Sequence, residues 1–99
     1  MVFVDFTADW CTTCQANKRT AIEVAPVLAM LKSIKAVTLL GDFTHEDPLI
    51  AAELQKHRRA GVPLVLVYSK DPTLAPRVLP EFLTRGAVLE ALEWAANPK

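Results

Sequence analysis

Cys11 and Cys14 stand with two residues between them, directly after the strand-forming run Val2-Phe3-Val4-Asp5-Phe6 and the short stretch Thr7-Ala8-Asp9-Trp10. At the first turn of a helix this spacing lets a disulfide close within the turn. It also leaves the first sulfur at the helix N-terminus, where unpaired backbone N–H groups and the helix dipole favour a thiolate. The chemistry is thiol–disulfide exchange, with Cys11 as the attacking thiolate and Cys14 as the resolving thiol. So short a loop cannot staple a fold, which argues against a purely structural disulfide. A structural zinc site would need two further ligands, and His45 and His57 lie twelve residues apart, outside usual finger spacing. A thiolate module for Cu(I) or zinc is the rival from another class, because soft sulfurs suit both metals. The expectation is therefore no metal, and no cofactor beyond the redox-active Cys11–Cys14 disulfide.

Asp5 interrupts an apolar strand, where a charge is costly to bury without a partner. Two readings compete. A buried carboxylate with a raised pKa could accept the proton of Cys14 as that thiol attacks a mixed disulfide. Otherwise Asp5 is only hydrogen-bonded at a strand edge. Trp10, beside the nucleophile, is expected to divide its ring between packing and contact with a partner. Phe6 reads as core and His57 as a packed histidine, with His45 solvated in a turn. Arg58-Arg59 read as a wet helix end complementing the dipole, and Asp9 as a turn or cap residue for the cysteine helix.

The elements that must position these residues follow from periodicity and punctuation. Residues 2–6 suit a central strand, and Cys11 to about Arg19 a helix, with a break over Thr20 to Glu23. Pro26 fits the first turn of a second helical piece, whose apolar side is Leu28, Leu31 and Ile34. Val37 to Phe43 is the second strand. Asp47-Pro48 caps a helix carrying Ile50, Leu54 and His57 on one face, with Gly61 as its left-handed cap. Leu64 to Ser69 and Pro76 to Leu79 are strands, and Thr84 caps a last helix whose Val88, Leu89, Leu92 and Ala95/Ala96 face inward. A right-handed crossover between the first two strands and a hairpin of the last two give an α/β fold: a four-stranded mixed sheet with helices on both faces.

Composition narrows the function classes. Acidic and basic residues balance at eleven each, so charge recruits neither nucleic acid nor an anionic membrane. There is no glycine-rich phosphate loop, and no apolar stretch long enough to span a bilayer. With 99 residues, 52% of them hydrophobic, the chain is expected to form one domain, 1–99. It enters a strand at once, with no signal peptide visible, which suggests a domain excised from a longer chain.

Asp5, Trp10-Cys11-x-x-Cys14 and Gly61-Val62-Pro63 together resemble the thioredoxin superfamily over nearly the whole length. Within it, four segments are most similar to the C-terminal extracytoplasmic domain of DsbD-type membrane thiol:disulfide interchange reductases and their copper-tolerance relatives. They are Ala8-Asp9-Trp10-Cys11, residues 43–48 (Phe-Thr-His-Glu-Asp-Pro), Gly61-Val62-Pro63-Leu64 and residues 79–84 (Leu-Pro-Glu-Phe-Leu-Thr). The resemblance implies a thioredoxin-like fold and a protein-disulfide reductase that takes electrons from a membrane-embedded donor domain. It implies oxidised protein substrates in the periplasm, with cytochrome c biogenesis and copper tolerance as settings, and no nucleic acid. It implies a cis Val62–Pro63 bond and a substrate-binding surface of Trp10, Val62 and Pro63. The direction of electron flow comes from the family alone; a free-standing thioredoxin, an oxidase or an isomerase would use the same residues. The chain departs from relatives in two respects: Thr12-Thr13 replace the Gly-Pro of thioredoxin, and Lys18 stands where some relatives carry an acid. Pointed at the sulfurs, Lys18 would favour the thiolate.

Overall fold

Apolar residues on both sides of β1 (Val2–Thr7) place it inside the sheet. The computed structural model describes residues 1–98. In it β1 runs parallel to β2 (Val37–Asp42) and antiparallel to β3 (Leu64–Tyr68), which pairs in turn with the two-residue β4 (Arg77–Val78). The order β2-β1-β3-β4 is the mixed sheet expected. Strand alternation then sorts the core into two layers. Phe3 packs with Val27 and Leu31 of α2 (Ala25–Ser33) and with Val88 and Leu92 of α4 (Arg85–Ala96). Phe6 packs on the other face with Leu54 of α3 (Pro48–Lys56), Leu64 and Leu66. Helices therefore cover both faces.

Capping residues set several helix starts. Asp47 accepts from the Leu49 N–H at 2.8 Å with Pro48 in the first turn, and Thr84 Oγ1 accepts from the Ala87 N–H at 3.1 Å. Three local expectations are corrected. The chain does not break at Thr20: α1 (Thr12–Asn17) continues as a π-helix, Lys18–Ile22, whose wider turn brings Ala21 and Ile22 both into the core. On α2 the buried pair is Val27 and Leu31, whereas Leu28 is half exposed, because the i, i+4 pair is the one that faces Phe3.

The third correction concerns Gly61, which is not the left-handed cap of α3. That residue is Arg58, at φ 60°, and among the described residues no glycine has positive φ. The Arg58 N–H donates to Gln55 O and the Arg59 N–H to Leu54 O, each at 2.9 Å, closing a Schellman turn three residues early. A non-glycine residue there costs on the order of 1 kcal/mol. The early turn frees Arg59 for the bonds described below.

Gly41 earns its place by close approach rather than by backbone freedom. It lies opposite Phe6 in the parallel pair, and a Cβ there would run into the Phe6 ring. Gly41→Ala is expected to destabilise the protein by about 1–3 kcal/mol, the usual range for forcing atoms into a packed site. Chemical denaturation of the two proteins checks this; an unchanged midpoint would show that the ring can move aside.

Candidate active site

The turn between β1 and α1 is held in place before any chemistry is considered. Ala8 O accepts from the Cys11 N–H and from Gln15 Nε2, both at 3.1 Å. Thr44, just beyond β2, holds the same turn from the other side. Its hydroxyl accepts from the Asp9 N–H at 2.9 Å and its carbonyl from Trp10 Nε1 at 3.0 Å. Thr44 is fixed in turn by Asp42, to which its hydroxyl and its backbone N–H both donate. Those two bonds, the hydroxyl's first, hold the Asp42 carboxyl below the usual range. Asp9 is exposed and lies in the turn, while the N-cap of the helix is Cys11.

Cys11 itself is the N-cap of α1. It has extended backbone angles, and its sulfur accepts from the Cys14 N–H at 3.1 Å. Cys11 and Cys14 are joined as a disulfide with their Cα atoms 5.2 Å apart. Both pack against Phe6, Ala8, Phe43, Leu54, Leu64 and Leu66, which leaves Cys11 7% and Cys14 4% exposed. With so small a difference, the division of labour rests on helix position: the N-cap sulfur is the one that the backbone N–H and the helix terminus can stabilise as an anion.

Val62 packs against this same cluster, and Pro63 is buried beside it. The Val62–Pro63 bond is cis. Trp10 stands edge-on to Phe43, ring centroids 6.3 Å apart, while 55% of its surface stays exposed.

Asp5 belongs to the other layer. It lines an open cleft of about 270 Å³ together with Lys18, Glu23, Leu28, Leu31, Leu39 and Leu40. Burial pushes its carboxyl up from 3.8 to about 6, against a smaller downward pull from Lys18 and with a further push from Glu23. Lys18 therefore acts on the carboxylate rather than as a lone charge beside the sulfurs. His57 is packed: its Nε2 is buried and 3.7 Å from Glu53, too far for a hydrogen bond. His45 is exposed.

Two residues shaping the surroundings escaped sequence reasoning. Asn17, 4% exposed, donates to Glu81 O at 2.8 Å and accepts from the Leu83 N–H at 3.1 Å. Arg59 is not the solvated helix end expected. Its guanidinium donates to Pro63 O at 3.1 Å and Leu79 O at 3.0 Å, and lies 3.8 Å from the Glu81 carboxylate. Neither residue carries a local signal for these bonds, because asparagine and arginine are mostly exposed in folded proteins. Among the described residues no group of three or more His, Cys, Asp or Glu side chains gathers that could hold a metal ion. No helix among them is long and apolar enough to cross a membrane.

Comparison with known proteins agrees with this arrangement. A family model described as Thioredoxin-like matches residues 1–70. Comparison with curated proteins finds no match. Among solved structures, the chain is similar to the reduced DsbD C-terminal domain of Neisseria meningitidis, with 23% identity and a TM-score of 0.71 over 96% of this chain and 80% of that one. For the oxidised form of that domain the values are 24% identity and 0.69, over 96% and 79%. A thioredoxin from Thermus thermophilus gives 21% identity and 0.65, over 93% and 70%. At these identities the likeness carries the fold, a thioredoxin-like one.

Proposed function

This chain belongs to the thioredoxin-like family, and from that premise we propose that it is a protein-disulfide reductase domain working through a Cys11/Cys14 dithiol. The observation that carries the reading is the disulfide closed across the first turn of α1, with Cys11 as its N-cap. In the reduced protein the Cys11 thiolate attacks one sulfur of a substrate disulfide. The substrate S–S bond breaks, one substrate thiolate leaves, and a mixed disulfide forms. Cys14 then gives up its proton and attacks the Cys11 sulfur. The second substrate thiolate departs and the Cys11–Cys14 disulfide is restored. Two electrons pass to the substrate in total; the one proton released is that of Cys14, and the departing substrate thiolates take up theirs from solvent. Asp5, whose carboxyl burial pushes up to about 6, is the proposed acceptor for the Cys14 proton; because it lies in the other layer, the transfer runs through water and not directly. Trp10, Val62 and Pro63 contact the partner segment around its disulfide.

The resemblance to DsbD-type reductases supports a finer reading. The domain would be re-reduced by a membrane-embedded donor and serve oxidised proteins on the periplasmic side, in cytochrome c biogenesis or copper tolerance. No other cofactor takes part; the electrons are held in the two sulfurs.

Equilibration with glutathione and turnover of insulin disulfides test the reading together. The reductase reading expects catalysed insulin reduction and a midpoint potential more negative than about −200 mV, on the reducing side of protein disulfide isomerase. A potential near about −120 mV, the range of the strong oxidant DsbA, would reverse the direction of flow. Tight stoichiometric metal on the reduced protein, without turnover, would favour the metal-binding alternative.

A further inference from the structure

Thr7 closes β1 and is only 6% exposed, and among the described residues its hydroxyl oxygen finds no hydrogen-bond partner. Buried hydroxyls are nearly always paired, so this one holds bonding capacity that the resting fold leaves unused. Its position gives that capacity a use. Strand alternation turns Thr7 to the same side of the sheet as Phe3 and Asp5, while its neighbours Phe6 and Ala8 pack in the cysteine layer. Thr7 therefore stands at the seam between the carboxyl and the sulfurs. Its backbone is fixed there. Thr7 O accepts from the Phe43 N–H at 2.7 Å, and the next carbonyl, Ala8 O, accepts from the Cys11 N–H at 3.1 Å.

The cysteine helix crosses the same seam. Cys14 packs in one layer, whereas Lys18, four residues on and along the same side of the helix, lines the open cleft with Asp5. The helix thus runs back along β1. Four helical residues advance about 6 Å and two strand residues about 7 Å, so with Lys18 level with Asp5, Cys14 comes level with Thr7. We propose that the Thr7 hydroxyl relays the Cys14 proton toward Asp5 while the mixed disulfide is resolved. As the Cys14 sulfur attacks Cys11, its proton passes to Thr7 Oγ1, and the hydroxyl's own proton passes through one water to the Asp5 carboxylate. The Cys11–Cys14 bond forms, the bond from Cys11 to the substrate sulfur breaks, and the substrate thiolate leaves. Thr7 gains one proton and gives up one, so it ends unchanged. Asp5 ends neutral and returns the proton to solvent through its cleft, where Lys18 and Glu23 are the other charged groups. The inference rests on the reductase reading with Asp5 as acceptor, and it names the group between acid and thiol.

The test mixes the pre-reduced chain with dithiobis-nitrobenzoate, which releases one coloured thiolate when Cys11 attacks and a second when Cys14 resolves the adduct. Thr7→Val, close in shape but without the hydroxyl, is expected to lower the ratio of the second rate to the first about a hundredfold. Thr7→Ser should restore it. A merely structural role predicts the reverse order, because valine fills the site and serine leaves a gap. Adding Thr7→Val to Asp5→Asn should slow resolution no further than Asp5→Asn alone, since both lie on one proton path. If Thr7→Val fails to fold, Thr7→Ala takes its place. An unchanged ratio without the hydroxyl, a ratio that serine does not restore, or multiplied losses in the double variant overturns the proposal. A wild-type chain that releases only one thiolate, or none, instead overturns the reductase reading beneath it.

Discussion

Cys14→Ser, reduced and mixed with an oxidised protein, is expected to accumulate a covalent one-to-one adduct through Cys11, while Cys11→Ser forms none. The N-cap position of Cys11 is the reason. Its sulfur already accepts the Cys14 N–H at 3.1 Å, and in the dithiol form that bond and the start of α1 favour the anion that attacks. Serine at position 11 has no accessible anion near neutral pH, so turnover should fall by roughly a thousandfold or more, because only the thiolate is the nucleophile. Serine at position 14 leaves attack intact and removes the release step. The adduct is read by non-reducing electrophoresis and intact mass, and it should disappear with dithiothreitol. An adduct through Cys14 in the Cys11→Ser protein would reverse the two roles. Unimpaired turnover by Cys14→Ser would remove the resolving step altogether.

Asp5→Asn is the second variant with a large expected effect, and it acts on stability and rate in opposite directions. The folded-state carboxyl titrates at about 6 against 3.8 for the ordinary group, chiefly because the strand buries it. Between these values the folded protein keeps a proton that the unfolded chain releases. Stability therefore falls as pH rises from about 4 to about 6 and stays lowered above that. The rise corresponds to about 3 kcal/mol, to within a factor of two. Asn removes the charge that must be buried at high pH. Its advantage over the parent should appear above pH 6 as a melting temperature higher by about 10 °C, and should vanish near pH 4. The same change removes the proton acceptor proposed above, and on that proposal resolution of the mixed disulfide should slow by about a hundredfold. Thermal scans from pH 4 to 8 with single-turnover kinetics measure both. A difference between the two proteins that does not vary with pH would mean that Asp5 is ionised throughout. Unchanged kinetics would leave it a structural residue.

Both variants concern residues that stand out in the sequence, and the reason is chemical. A carboxylate in a run of Val and Phe, and two thiols three positions apart, are conspicuous by residue type alone. So are the caps Asp47 and Thr84, whose partners lie two and three residues on. The nearly unbroken apolar run of β1 also made a sheet covered on both faces legible. Which face received Asp5 was settled by packing: Phe3 and Asp5 turn toward the π-helix and α2, Phe6 toward the cysteines.

Three misjudged features have one origin. Arg58 takes the left-handed position because Arg59 is bonded to Pro63 and Leu79, so a distant contact outweighs the local preference for Gly61. The π-helix persists through Thr20 because Ala21 and Ile22 are both buried. Leu28 is turned out because Val27 and Leu31 meet Phe3. In each case a burial or bond made far along the chain overrides a preference worth on the order of 1 kcal/mol.

By itself the amino-acid order determined the reactive pair, the acid set beneath an apolar strand, and the alternation and caps that build the sheet and its helices. Those signals lie in side-chain type and short spacing. Tertiary structure alone decided that Thr44 would hold the Asp9–Trp10 turn from 35 residues away, and that Asn17 would clasp a loop 64 residues on. The partners in those bonds are largely backbone N–H and C=O groups, which nearly every residue carries alike. Nothing in their residue types could announce them, and only the folded path of the chain brings them together.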